Sequence, residues 1–132
     1  PELRELLEAA APNFTAWPGF YAPSLSSWVR GNTLLVGDAA HATLPYLAQG
    51  AAMALEDAAT LLRVLQGASN IQNGFQEFQQ QRVPRTSRLH RASLAAGKNY
   101  HHNGIMRLAR NVVLLNLPNA ALFAQLNWIY KN

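Results

Sequence analysis

Residues 50–66 form the segment that most restricts how this chain can fold. The sequence there predicts a helix whose polar residues, Glu56, Thr60 and Arg63, share one narrow stripe, while nearly every other position carries Ala, Leu, Met or Val. A helix with so wide an apolar surface must be covered on most sides. The 132 residues contain few strand-like segments that would cover it. We therefore expect the chain to need a further polypeptide segment or self-association.

Periodicity predicts that the rest of the chain is also mainly α-helical. Residues 67–74 indicate a polar turn, and the prolines between 12 and 23 leave room for two short strands. An interruption or a bend is expected near Pro84, inside the longest helical pattern. Besides residues 50–66, helices are predicted at 1–10, 75–100, 105–115 and 120–129.

Composition excludes several classes of protein. With 49% apolar and 14% charged residues the chain can build a packed core. It has no cysteine, which excludes disulfides and thiolate chemistry and favours a reducing, cytoplasmic location. The apolar run at 112–126 is interrupted by polar residues and is too short to span a membrane, so no membrane partner is expected. A start at Pro1, with no signal peptide, indicates a cut or truncated product.

Charge is divided unevenly along the chain. Residues 1–77 hold 3 basic and 7 acidic residues, whereas residues 78–132 hold 8 basic residues and none that is acidic. Four arginines recur at every third position and predict a solvated basic ridge: Arg82, Arg85, Arg88 and Arg91. One alternative function is therefore a non-enzymatic helical module that binds nucleic acid or an acidic partner through this ridge. No interleaved aromatics or helix-turn-helix signature accompany it, so nucleic acid is not the expected partner.

The segment that carries chemistry begins with a predicted strand. The apolar run at 32–36 has the pattern of a buried strand, and Gly37 ends it, which presents the Asp38 carboxylate at the strand's carboxyl end. A loop stiffened by Pro45 follows, and a helix begins near Gly50. A carboxylate accepts hydrogen bonds from sugar-type hydroxyls, and a helix amino end offers unpaired N–H groups. The segment suits a large, planar, polyhydroxylated ligand.

These residues resemble the second flavin motif of the class A FAD-dependent aromatic hydroxylases, flavoprotein monooxygenases such as salicylate hydroxylase and para-hydroxybenzoate hydroxylase. The resemblance covers residues 28–91 well and extends weakly to 126–130. Many members have glycine where this chain has Ala48, and asparagine where it has Ala52. The resemblance rests on four motifs in order: GDAAH at 37–41, Pro45, AQGA at 48–51 and EDA at 56–58.

For the fold, the resemblance implies an α/β flavoprotein of the FAD/NAD(P)-binding type in the parent protein, with this C-terminal fragment mainly α-helical and holding a few short strands. Residues 1–31 would be the end of the substrate-domain region. Residues 32–100 would form the C-terminal part of the FAD-binding domain, with its strand, its GDAAH loop and its helices. Residues 101–132 would form a C-terminal helical segment.

For function, the resemblance implies that FAD, with NAD(P)H as reductant and O2, serves to hydroxylate a small aromatic substrate. Gly37 and Asp38 would hold the ribityl chain, and Pro45 would lie against the isoalloxazine ring at the substrate border, the one catalytic contact expected. The backbone amides of Gln49, Gly50 and Ala51 would face flavin N1 and its C2 carbonyl. The chain has no GxGxxG segment, so we expect it to need the missing N-terminal FAD-binding portion and to be inactive alone. A different flavoprotein oxidoreductase remains a further alternative.

Three acidic residues and a histidine invite a metal interpretation. His41 with Asp38, and Glu56 and Asp57 further along, provide too few converging ligands, so no metal is expected and His41 is interpreted as a hydrogen-bonded structural residue. Asp57 lies off the polar stripe of its helix. It is therefore expected to require a buried partner, and a segment outside this chain is one candidate source of that partner.

Overall fold

The structure, a computed structural model, describes residues 2–130. Within that range the chain is mainly α-helical with one short hairpin, as predicted for the fragment. Two 3-10 turns, Ala11–Asn13 and Pro45–Leu47, lie between the helices and strands. In chain order the helices and strands are α1 (Leu3–Ala10), β1 (Val29–Arg30), β2 (Thr33–Leu34), α2 (Asp38–His41), α3 (Gly50–Gly67), α4 (Ile71–Tyr100), α5 (Gly104–Asn116) and α6 (Asn119–Tyr130).

Helices α3 and α4 form an antiparallel pair that organises the described chain. Asn70 begins α4, because its side chain accepts a hydrogen bond from the Asn73 N–H at 2.9 Å. The predicted turn at 67–74 is therefore wrong beyond residue 70. The helix also continues through Pro84, which lies exposed on its surface. Packing of one face of α4 along the whole of α3 outweighs the single hydrogen bond that proline removes.

Two apolar clusters lie along the α3–α4 pair. Phe78 of α4 is fully buried and packs with Trp28, Ala40 and Val64, which joins the hairpin region and α2 to the long helices. Trp28 and Phe78 have ring centroids 6.0 Å apart. The second cluster joins Met53 at the start of α3 to Leu89 of α4 and Ile129 of α6. The core thus sits between the two long helices and extends to the segments that precede them and to the end of α6.

The strand predictions are only partly right. β2 consists of two residues and pairs antiparallel with β1, with Val29 opposite Leu34 and Arg30 opposite Thr33. The predicted buried strand at 32–36 is wrong in length and burial, since Thr33 and Val36 are exposed. No strand forms among residues 14–28, although the prolines between 12 and 23 leave room for two. An extended segment becomes a strand only beside a hydrogen-bonding partner, and within residues 2–130 only β1 provides one for β2.

Helices at both ends of the described chain bury little. α1 and α5 contain no buried residue, and Ile129 is the only buried residue of α6. No single helix among the described residues is long and apolar enough to cross a membrane. α5 and α6 meet the length and composition criteria only as a pair, which is bent by 101°.

Candidate functional site

The turn before α2 has a backbone that requires glycine. Gly37 has φ +56° and ψ −141°, a combination that L-amino acids with a Cβ atom avoid. Its carbonyl accepts hydrogen bonds from the N–H groups of Ala40 and His41, at 2.9 and 3.0 Å. This geometry places Asp38 at the first position of α2, exposed to solvent. Among residues 2–130 no group donates a hydrogen bond to the Asp38 carboxylate, which leaves it available for a ligand.

A buried carboxylate on α3 holds that turn in place. Asp57 Oδ2 accepts a hydrogen bond from the Gly37 N–H at 2.9 Å and lies 2.7 Å from His41 Nε2. Asp57 Oδ1 accepts from Arg82 Nε at 2.7 Å. All three side chains are almost fully buried. Asp57 therefore connects the glycine turn to both long helices, and the interpretation of His41 as a hydrogen-bonded structural residue is confirmed.

Arg85 extends the same network to the C-terminal helix. It forms two hydrogen bonds with the carboxylate of Glu56, which also accepts from Arg82 Nη1 at 2.7 Å. Arg85 Nη2 in addition donates to the carbonyl of Ile129 at 2.8 Å, and Nη1 to that of Trp128 at 3.3 Å. These are carbonyls in the last turn of α6, where a cation is favoured by the helix dipole. Glu56 of α3 and the end of α6 thus share one guanidinium group.

The predicted basic ridge is wrong, because its members face different environments. Arg82 is buried and Arg85 is half-buried, and both are paired with α3 carboxylates. Only Arg88 and Arg91 are exposed, and the guanidinium carbon of Arg88 lies 3.9 Å from the centre of the Trp128 ring. The three-residue spacing spreads the arginines around a 3.6-residue helix, so one continuous solvated face does not form. The alternative of a ridge-based binding module loses its structural basis.

The network keeps both carboxylates ionised. Burial raises the pKa of Asp57, but hydrogen bonds from His41, the Gly37 N–H and Arg82 outweigh it and lower this pKa below its ordinary 3.8. Hydrogen bonds from Arg85 are the largest cause that lowers the pKa of Glu56 below 4.5, against the opposing effect of burial. A carboxylate only accepts hydrogen bonds, so His41 Nε2 is the donor to Asp57. Among the described residues no group of three potential metal ligands converges.

The loop after α2 leads directly into the amino end of α3. Pro45 is exposed at the start of its 3-10 turn, and Gln49 is the residue before the first turn of α3. No side chain caps this helix end. Within the described part of the chain the N–H groups of Gln49, Gly50 and Ala51 have no hydrogen-bond acceptor. Three adjacent donors with a partial positive charge therefore remain free to bind an electron-rich group.

Ala48, one of the departures from the family pattern, has a backbone conformation that favours glycine. It adopts φ +52° and ψ 33°, the left-handed region that glycine occupies at little cost. A glycine at this position, as in many members, has no Cβ to clash there. The turn between Pro45 and α3 is therefore built in this chain with a strained alanine.

Comparison with known proteins supports the resemblance that the flavin motifs indicate. The FAD binding domain family matches residues 14–93 of the chain, which include both the glycine turn and the amino end of α3. This chain belongs to that family. The predicted resemblance to the class A FAD-dependent aromatic hydroxylases is confirmed.

Relatives of this family member are aromatic hydroxylases or monooxygenases by name. The chain is 34% identical over 131 residues to 3-hydroxybenzoate 6-hydroxylase from Polaromonas naphthalenivorans, covering 98% of this chain and 32% of the relative. It is 40% identical over 95 residues to 6-hydroxynicotinate 3-monooxygenase from Bordetella bronchiseptica, covering 70% and 24%. A third relative, 3-amino-4-hydroxybenzoate 2-monooxygenase PtmB3 from Streptomyces platensis, is 34% identical over 132 residues, covering 98% and 32%. The chain spans about a quarter to a third of the length of these three relatives.

Sequence reasoning missed the groups that support this site from α4. The arginine spacing predicts a solvated position for Arg82, yet it is the buried cation that pairs with Asp57. No sequence pattern marks Ser93 or Gly97, although both contact the segment around Pro45. One signal was present: Asp57 lies off the polar stripe and so required a buried cation or donor. The structure shows that its partners lie within this chain.

The strain at Ala48 leads to a prediction in which two identical substitutions have opposite effects. Ala48→Gly should stabilise the protein by about 0.5–1 kcal/mol, because glycine removes a left-handed strain of about 1–2 kcal/mol but adds freedom to the unfolded chain. Ala52→Gly, four residues later and inside α3, should destabilise it by about 0.5–1 kcal/mol. Urea unfolding of both variants measures the difference. Equal destabilisation by both would contradict the strain at Ala48.

Proposed function

We propose that the complete protein is an FAD-dependent monooxygenase that hydroxylates a small aromatic substrate with NAD(P)H and O2. This chain would supply its C-terminal third. The family match and the names of the relatives support the reaction class. The observation that carries the proposal is the pair of unsatisfied groups at the ends of one loop: the Asp38 carboxylate and the three free N–H groups at the start of α3.

Each of these groups fits one part of the flavin. The Asp38 carboxylate, held out by the Gly37 turn, would accept hydrogen bonds from ribityl hydroxyls. The N–H groups of Gln49, Gly50 and Ala51 would donate to the N1 and C2 carbonyl edge. Bound FAD supplies the redox chemistry and oxygen activation. A preorganised helix end stabilises negative charge at that edge without reorganisation, and Pro45 would border the substrate side.

The same proposal assigns each part of this chain to a domain of the parent protein. Residues 32–100 would form the C-terminal part of the FAD-binding domain, between the end of the substrate-domain region at 1–31 and the helical segment at 101–132. The exposed apolar side chains on α3, such as Leu55 and Leu62, would be covered by the remaining part of the FAD-binding domain or by self-association. A cytoplasmic location is part of this proposal, supported by the absence of cysteine from the sequence.

Asp38→Ala in the complete protein tests the proposed role of the glycine turn. We expect FAD affinity to fall about 10- to 100-fold, because hydrogen bonds to a charged group contribute about 1.5–3 kcal/mol. Folding stability should change little, since Asp38 is exposed and no described group donates to its carboxylate. Titration of the apoprotein with FAD, followed by flavin fluorescence, measures the affinity. Glu77→Ala, which also removes an exposed carboxylate, is the control and should leave affinity unchanged.

Labelled oxygen separates this proposal from another flavoprotein oxidoreductase. In the wild-type complete protein with NAD(P)H and a hydroxybenzoate, a monooxygenase places one atom of ¹⁸O2 in the product. Substrate oxidation without label would contradict the monooxygenase proposal while leaving FAD binding intact. Unchanged FAD affinity in Asp38→Ala would contradict the assigned role of Asp38.

A further inference from the structure

The last turns of α4 hold the segment that carries Pro45. Ser93, buried on α4, donates a hydrogen bond from Oγ to the carbonyl of Leu44 at 2.7 Å. One turn later, Gly97 lies directly beneath the ring of Tyr46. A methyl group added at Gly97 would lie 2.7 Å from Tyr46 Cδ2 and 2.9 Å from its Cζ. Ser93 and Gly97 thus contact Leu44 and Tyr46, the residues immediately before and after Pro45.

Tyr46 is also restrained at the end of α4. Its hydroxyl lies 3.2 Å from His101 Nε2, and its ring makes edge contacts with the rings of Tyr100 and His101, with centroids 5.9 Å apart in each case. Pro45 itself remains exposed. The segment is therefore fixed on the side that faces α4 and open on the other side.

We infer that Ser93 and Gly97 are positioning residues for the Pro45 segment, acting through the Leu44 carbonyl and the Tyr46 ring. This inference rests on the proposed function, in which Pro45 lies against the isoalloxazine ring. Gly97 contributes by having no side chain, since only that lets the Tyr46 ring approach the α4 backbone. Ser93 contributes the hydrogen bond that fixes the loop before Pro45.

Gly97→Ala in the complete protein is the first test. Alanine ordinarily stabilises the interior of a helix relative to glycine. Weaker FAD binding in this variant could therefore not be attributed to a lower helix propensity. The Tyr46 ring must move away from α4 and take Pro45 with it. We expect the Kd for FAD to rise about tenfold, equivalent to about 1.4 kcal/mol of binding, and the flavin absorption bands to shift, because Pro45 would lose its contact with the isoalloxazine ring. Both are read from FAD titration of the apoprotein.

Gly74→Ala is the matched control on the same helix. Its added methyl group would lie 2.8 Å from Leu65 Cδ2, also a steric conflict, but at the opposite end of α4 from the Pro45 segment. We expect the flexible end of the Leu65 side chain to move aside and the Kd for FAD to stay unchanged. A general destabilisation of α4 would instead affect the Kd equally in both variants and overturn the inference.

A double variant tests whether Gly97 affects FAD binding through the Tyr46 ring. In a Tyr46→Ala background the ring is absent, so adding Gly97→Ala should produce no further change in FAD affinity. Independent, additive effects would overturn the inference. If Gly97→Ala does not fold, Ser93→Ala adds no atoms and should raise the Kd for FAD about three- to tenfold through loss of one hydrogen bond.

The outcomes distinguish this inference from the proposed function. A wild-type protein that does not bind FAD overturns the proposed function and the positioning role with it. A wild-type protein that binds FAD, with affinity and absorption unchanged in Gly97→Ala and Ser93→Ala, overturns the positioning role alone.

Discussion

Asp57→Ala should destabilise the protein by about 3–5 kcal/mol, the cost of removing one partner from a buried ion pair. The substitution leaves Arg82 Nε, His41 Nε2 and the Gly37 N–H without their acceptor in a site closed to water. Urea unfolding of the complete protein measures the change. The glycine turn should also lose its fixed position, so FAD affinity should fall in any fraction that remains folded.

Glu8→Ala is the matched control for this effect. Glu8 pairs with Arg4 at 2.8 Å, nearly the same distance as Asp57 with Arg82, but both members of this pair are exposed. Its removal should cost about 0.5 kcal/mol or less, because solvent screens the pair. Similar losses in the two variants would show that the Asp57 network contributes no more than a surface ion pair.

The same network predicts how stability depends on pH. Because the pKa values of Asp57 and Glu56 are lowered by folding, their contribution is present above their ordinary values of 3.8 and 4.5. It is lost as the pH falls through the lower values of the folded state. Unfolding free energy in Asp57→Ala should therefore decline less steeply in acid than in the wild type.

Phe78→Ala should destabilise the protein by about 3–5 kcal/mol, through lost burial and the cavity left behind. Phe78 is fully buried and contacts the hairpin, α2 and α3 through Trp28, Ala40 and Val64. We expect urea unfolding to shift accordingly. Phe123→Ala, on the exposed face of α6, removes the same side chain from a site that is 68% exposed and should cost far less. An equally large loss from Phe123→Ala would indicate that α6 is covered in the complete protein.

The long helices could be predicted from the sequence because their signals are local. Periodicity predicted 50–66 and the structure has Gly50–Gly67, while the predicted 105–115 became Gly104–Asn116. The beginning of α4 was missed, because one side-chain hydrogen bond from Asn70 decided it. Strands were predicted less well. Whether an extended segment becomes a strand depends on a distant partner, which no local pattern specifies.

Part of the candidate site could likewise be predicted from local sequence motifs, and part could not. The exposed Asp38 and the amino end of α3 lie where the motif predicted them, although their roles toward FAD remain proposals. The supporting groups were not predictable, because Arg82 and Gly97 act through residues about 25 and 51 positions away in the sequence. Arginine spacing alone also misled, since the spacing does not show which face of a helix is covered.

The hydrogen bonds from Arg85 to the carbonyls of Trp128 and Ile129 have a consequence for protein engineering. A deletion or proteolytic cut that removed this last turn of α6 would withdraw two acceptors from a guanidinium that also binds Glu56. The damage would then reach α3, far from the cut in sequence but adjacent in space. Expression tags and truncations at the carboxyl end should therefore be placed beyond residue 130, where they leave these carbonyls intact.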